Sequence, residues 1–353
     1  MAAPDDAERP LAPRRNPDLV GHGEAAAALA RLARSGRLPH AILIGGPRGI
    51  GKATLAFRFA RWLLAQADGG DTTPSADLAL DPGHPVARRV AGGGHADLLT
   101  VERQWDPKRK RLRGEILAEE ARAVAEFFHK TAAEGGWRIA IIDGAEEMNR
   151  HAANGILKIL EEPPARSLLI LVSHAAGRLL PTIRSRCRRL MLQPLAEAEV
   201  AALLALHRPD LPQPERTALA RLAEGSIGRA LELAESGGLA LQQRLEALLA
   251  GLPRLDFAAV HELADTVARG DEDGFRTLTE LLLELMRRAA VAAACGEAGT
   301  NPLQAHAAGE RFIRLGDGLR ELFARGEALA LDRRQMLLDA FIRLERGARQ
   351  AAG

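Results

Sequence analysis

The run Gly46-Pro47-Arg48-Gly49-Ile50-Gly51-Lys52 carries the residue types that hold a nucleotide's phosphates. Glycines let backbone N–H groups close around anionic oxygens, a helix that follows turns its positive end toward them, and Lys52 supplies the countercharge. The next residue breaks the pattern. Ala53 stands where a hydrolysing P-loop protein places the hydroxyl that ligates magnesium. Thr54 comes one position late, which turns its side chain about 100° around the helix, so it does not count as a metal ligand. The alternative is a glycine-rich turn from strand to helix with a chance lysine.

A second strand, Arg138 to Asp143, delivers a carboxylate to the edge of a sheet after four apolar residues. That is where ligands sit in open α/β folds. Asp143 therefore has the place of a metal-facing aspartate, with a plain helix N-cap as the alternative. A hydrolysing site needs a base next to it to orient water, but position 144 is Gly, and Glu146 and Glu147 lie further along. Gly46, Gly49, Gly51, Lys52, Ala53, Thr54 and Asp143 together make a degenerate ATP site. Such a site suits ATP or ADP held without productive hydrolysis, and no metal.

These groups need a scaffold. Apolar runs at Ala41 to Ile44, Leu98 to Val101, Ile139 to Ile142, Leu168 to Val172 and Leu190 to Leu192 read as buried strands. Helical patterns separate them: Leu55, Phe59, Trp62 and Leu63 share a face after the loop, and Ile156, Leu157 and Leu160 mark a helix that Pro163-Pro164 ends. Alternation of this kind implies an α/β fold with a doubly wound parallel sheet. Gln66 to Gly94, rich in Gly, Asp, Pro and Thr, reads as a surface excursion. The cluster Lys108 to Arg113 is either a phosphate-backbone contact or a solvated hairpin or helix lead-in. After Pro194 strands cease. Val200, Leu203 and Leu204 open a small helical lid, Ser236-Gly237-Gly238 makes a joint, and Leu278, Leu281, Leu282, Leu285, Leu337, Phe341 and Leu344 continue helical spacing to the end. The expected domains are 1–193, 194–238 and 239–353.

At 353 residues the chain is long enough for two or three cores, and 47% hydrophobic content is ordinary for a folded, soluble protein. A net charge of +2 leaves any nucleic-acid contact to local patches. Cys187 and Cys295 lie far apart and lack metal-type spacing, which excludes a disulfide framework and fits a reducing cytoplasm. Neither a signal peptide nor a membrane span is expected.

Asn154-Gly155-Ile156-Leu157-Lys158-Ile159-Leu160-Glu161-Glu162-Pro163-Pro164, followed by Ser185-Arg186-Cys187, completes a recognisable pattern. With Val20-Gly21-His22 on the adenine side, it resembles the AAA+ subunits of the bacterial DNA polymerase III clamp loader, most closely the delta-prime subunits. The likeness runs from Val20 to Gly225, with a tail similar only in being helical. It implies an AAA+ P-loop module, a small helical lid and an all-helical C-terminal collar. It also implies that Arg186 is an arginine finger acting in trans on a neighbouring subunit's nucleotide. A guanidinium fork of this kind contributes roughly 10³ to 10⁵ in rate, or about 4 to 7 kcal/mol. A basic edge around Cys187, formed by Arg184, Arg186, Arg188 and Arg189, is the plainer alternative.

Two departures from the family and one matching position matter. Gly228 stands where motor subunits carry a phosphate-sensing arginine, with Arg229 one place late. Ser173 falls at the first-sensor position, where a strand-capping role is the alternative. Gln66 to Gly94 has no cysteine, and His84 with His95 cannot close a tetrahedral zinc site, so no zinc is expected. The resulting expectation is a non-hydrolysing subunit, a stator. Its partners would be the motor and delta subunits, primed DNA through the assembled ring, and the sliding clamp indirectly. An active clamp-loader ATPase using Lys52, Asp143 and Glu146, and a small-molecule P-loop kinase, are the rivals.

Overall fold

The computed structural model describes residues 12–66, 77–106, 111–134, 136–269, 272–296, 301–306, 310–329 and 331–351. Their contacts form two compact units, residues 1–211 with 220–229, and residues 212–219 with 230–353. The segment 194–238, expected as a separate lid, is divided between them.

In the first unit the chain runs α1 (Gly23–Arg34), β1 (Ala41–Gly45), α2 (Lys52–Ala65), α3 (Pro85–Ala91), β2 (Leu98–Val101), β3 (Trp105–Asp106), β4 (Arg111–Leu112), α4 (Ala118–His129), β5 (Arg138–Asp143), α5 (Arg150–Glu161), β6 (Ser167–Ser173), α6 (Pro181–Arg186), β7 (Arg188–Met191) and α7 (Glu197–His207). Five strands form a parallel sheet in the order β2-β5-β6-β1-β7. Because side chains alternate across a strand, Ile42, Ile44, Ile139, Ile141 and Ile170 pack with α1, α2 and α3. Ala41, Leu43, Ala140, Ile142 and Leu171 pack with α4, α5 and α6 on the opposite face. Both faces are covered, as a parallel sheet requires.

The expected α/β fold with a parallel sheet is therefore present. One strand is displaced from its expected position: β7 covers Arg188–Met191 rather than Leu190 to Leu192. It is an edge strand paired only with β1, so Arg188 and Arg189 are exposed and no continuous apolar run marks it. Helix α2 also differs, being buried nearly all round rather than on one stripe. Its Arg58 bonds to the carbonyls of Pro17 and Asp77, and Arg61 to those of Arg14 and Asn16, so the incoming chain covers the face that would otherwise meet water.

Helices α8 (Gln213–Leu222) and α9 (Ile227–Glu235) straddle the two units, and α10 (Gly238–Leu249), α11 (Phe257–Arg269), α12 (Glu272–Cys295), α13 (Glu310–Leu329) and α14 (Arg333–Ala351) build the second. There α11 and α13 both pack on α14, while α12 lies against α10 and α13. Leu278, Leu281, Leu282, Leu285, Leu337, Phe341 and Leu344 are all buried, as their spacing requires. Ser236-Gly237 is a tight turn between α9 and α10, with Gly237 at φ 66°. No helix among the described residues is long and apolar enough to cross a membrane.

Candidate functional site

Strands β1, β5 and β6 lie side by side, so their C-terminal ends bring together the start of the glycine loop, Asp143 and Ser173. The register is Gly45 opposite Ser173 and Asp143 opposite Val172. The loop leaves β1 through Gly46 at φ 145° and enters α2 from Gly51 at φ 103°, conformations open to glycine and strained for other residues.

Two polar contacts at the loop are made by the chain itself. The Lys52 ammonium, 3% exposed, donates to the Pro47 carbonyl, and the His22 ring meets the Ile50 carbonyl at 2.6 Å. Burial pushes the Lys52 pKa down to about 8, against the attraction of Asp143 and Glu146. Asp143 is pushed up to about 6, first by burial and then by Glu102, with Lys52 opposing. The Ala53 side chain carries no oxygen, and Thr54 is buried. These residues do not fit the two-sided magnesium clamp of a hydrolysing site.

The missing base has a structural counterpart. At Gly144 the backbone turns with φ 78° into a short 3-10 segment, Ala145–Glu147. A Cβ at Gly144 would lie 2.5 Å from Glu147 Oε2, so the neighbouring carboxylate occupies the space beside it. Glu147 pairs with Arg103 Nε at 2.8 Å. Glu146 accepts the His174 N–H at 2.8 Å. Burial works against the Glu146 carboxylate, but hydrogen bonds from its own backbone, Ser173 and His174 hold it below the ordinary range. His174 is pushed down to about 4 by burial and by Lys52, so its ring is neutral. Ser173 is fully buried, and its hydroxyl accepts the Ala175 N–H at 3.2 Å.

Arg186 lies elsewhere on the sheet. It closes α6, and β7 begins two residues later with Arg188 paired to Ile42, at the end of the sheet opposite the glycine loop. The three residues from Ile42 to Gly45 span about 10 Å. Arg186 Nη1 donates to the Thr182 carbonyl at 3.0 Å and Nη2 meets Glu161 Oε1 at 3.0 Å. Its neighbour Cys187 is buried, and burial pushes the thiol up to about 11, which makes it inert.

Gly228, at the position where motor subunits sense phosphate, belongs to a turn before α9 that touches the glycine loop directly. Gly228 donates its N–H to the Gly49 carbonyl at 3.0 Å, and Ser226 Oγ caps α9 by accepting the Arg229 N–H at 3.1 Å. A Cβ on Gly228 would lie 2.9 Å from Gly49 Cα. An arginine at this position has no room. The hints in the sequence are the small residues Ser226 and Gly228 and the phosphate-sensing position that Gly228 occupies.

His84 and His95 each serve a local backbone N–H. His84 Nδ1 accepts the Val86 N–H at 3.2 Å as the cap of α3, and His95 Nδ1 accepts the Asp97 N–H at 3.2 Å. Among the described residues no group of three or more His, Cys, Asp or Glu could hold a metal ion. Of the basic cluster, Arg111 and Leu112 pair with Asp106 and Trp105 in a hairpin, while Lys108, Arg109 and Lys110 lie outside the described residues.

A model of the family described as DNA polymerase III, delta subunit, matches residues 21–196. The delta' subunit of DNA polymerase III from Pseudomonas aeruginosa is 36% identical over 187 residues, covering 53% of this chain and 53% of that protein. Its Escherichia coli counterpart is 31% identical over 226 residues, 64% of this chain and 63% of the relative. The tau subunit of Escherichia coli is 28% identical over 276 residues, 77% of this chain and 38% of the relative. In each case the match spans less than two thirds of the relative's length.

Proposed function

We propose that this chain, matched over residues 21–196 by the family described as DNA polymerase III, delta subunit, and similar to delta' subunits, is a delta-prime-like member of that family and serves as a non-hydrolysing clamp-loader subunit. In this reading it is a fixed member of a ring that opens a sliding clamp and places it on primed DNA. Motor and delta subunits are its direct partners. Residues 194–238 act as lid, and 239–353 join the collar.

The observation that carries the reading is the placement of Arg186, half-exposed at the sheet end opposite its own phosphate loop. A guanidinium there, once released from Glu161, would be placed to stabilise charge developing on a neighbour's transferred phosphoryl group. The state of the chain's own site supports the same division of labour. Ala53 lacks the metal hydroxyl, Glu147 fills the space at Gly144, and Gly228 leaves no room for a sensing arginine.

The tau relative, matched over 77% of this chain, favours a second reading as an ATP-hydrolysing motor. Glu146 would then serve as base, yet one of its oxygens already accepts the His174 N–H. Purified chain incubated with ATP, magnesium and primed DNA distinguishes the two. The stator reading expects no turnover above background, and turnover abolished by Lys52→Ala would replace it with the motor.

A further inference from the structure

We infer that Glu161 is a positioning residue for Arg186, whose carboxylate restrains the guanidinium and yields it to the phosphoryl group of a nucleotide held by a neighbouring subunit. This rests on the reading of Arg186 as a finger acting in trans.

The pair joins two fixed helix ends. Glu161 closes α5 directly after the buried Ile159 and Leu160, and Pro163-Pro164 keep the helix from continuing. Arg186 closes α6 between the buried Ile183 and Cys187. All four flanking residues belong to one core cluster, so the backbones that carry the pair are anchored while the paired side chains reach solvent. The guanidinium is held through two different nitrogens: Nη1 donates to the Thr182 carbonyl at 3.0 Å, and Nη2 meets Glu161 Oε1 at 3.0 Å. Its orientation is therefore set before any partner arrives.

Both charges stand where their own elements disfavour them. A carboxylate on the last residue of α5 faces the negative end of the helix dipole, and Glu162 adds a like charge next to it. Arg184, Arg188 and Arg189 place like charge on either side of Arg186 in sequence. Among the described residues, Arg186 is the one of these four arginines that meets a carboxylate. Each partner thus offsets repulsion around the other. A phosphoryl group carries more charge than a carboxylate and suits the planar fork, so it can take the place of Glu161. The finger is occupied until such a group is presented.

The test uses the loader reconstituted from its full set of subunits and follows kcat/KM for ATP on primed DNA. Glu161→Gln keeps the shape of the side chain and removes its charge. An exposed pair of this kind restrains its arginine modestly, so the variant should raise kcat/KM by about two- to fivefold at low salt. The gain should fade at high ionic strength, where the parent pair is already screened, and should be absent when Glu161→Gln is placed on Arg186→Ala. A purely structural pair would give equal or lower turnover. If Arg186→Ala lowers turnover but Glu161→Gln leaves kcat/KM unchanged or reduced, or if the gain survives Arg186→Ala, the restraint is overturned and the finger stands. Turnover unaffected by Arg186→Ala is a different result, which removes the finger and this inference with it.

Discussion

The Arg186 guanidinium meets the Glu161 carboxylate at 3.0 Å, joining the last residue of α6 to the last residue of α5. With side-chain exposures of 37% and 52%, the pair is a surface tether that fixes a direction more than it holds the fold together. Ion pairs this exposed contribute about 0.2 to 1 kcal/mol. Glu161→Ala should therefore move the urea midpoint very little. A loss well above about 1 kcal/mol in the denaturation curve would mean that Glu161 has a packing role instead.

Asp143 predicts a pH dependence. Its carboxyl is pushed from an ordinary 3.8 up to about 6, chiefly by burial, so the folded chain favours the protonated form. Its contribution to stability is complete below about pH 4 and is lost as the pH rises through about 6. Asp143→Asn removes that loss. Thermal melts across this window should show the variant gaining on the parent from pH 4 to 6, by about 3 kcal/mol at neutral pH. Parallel curves would show that Asp143 is not strained in its site.

Restoring a glutamate next to Asp143 should not restore catalysis. Gly144 has φ 78°, and its Cβ position is 2.5 Å from Glu147 Oε2. Gly144→Glu should lower stability by about 1 to 3 kcal/mol and leave ATP turnover by the purified chain at background. Measurable turnover would show that only the missing base had silenced the site.

The arginines of α2 hold the incoming chain. Arg61, 6% exposed, donates to the Asn16 carbonyl at 2.7 Å, and burial followed by Arg58 pushes its pKa down to about 10. Arg61→Ala should cost about 1 to 2 kcal/mol by stranding half-buried carbonyls, and should open residues 12–20 to limited proteolysis. Unchanged cleavage there would show that Arg58 alone suffices.

How much of this was legible beforehand depended on which physical signal each feature leaves in one dimension. β1, β5 and β6 are buried on both faces, so Ala41 to Ile44, Ile139 to Ile142 and Leu168 to Val172 stand out as apolar runs. β7 lies at the edge, and its arginines hide it from the same criterion. The glycine loop and Asp143 were legible because local backbone and strand-end chemistry specify them. The Gly228 contact with Gly49 was not, because it joins segments far apart in sequence and a glycine's missing side chain says nothing about which backbone will approach it. His22 was readable as part of Val20-Gly21-His22, but its bond to Ile50 needed the fold. The burial of Arg58 and Arg61 contradicts their polarity. It becomes intelligible only once backbone carbonyls of the incoming chain surround them.

The most direct measurement replaces Arg186 with Ala in a clamp loader reconstituted from its full set of subunits and follows ATP turnover on primed DNA. The account predicts intact assembly with reduced turnover, because one site would lose a contribution of roughly 10³ to 10⁵ in rate, while Lys52→Ala in the same assembly leaves turnover near the parent value. Turnover unchanged by Arg186→Ala, or abolished by Lys52→Ala, would contradict it.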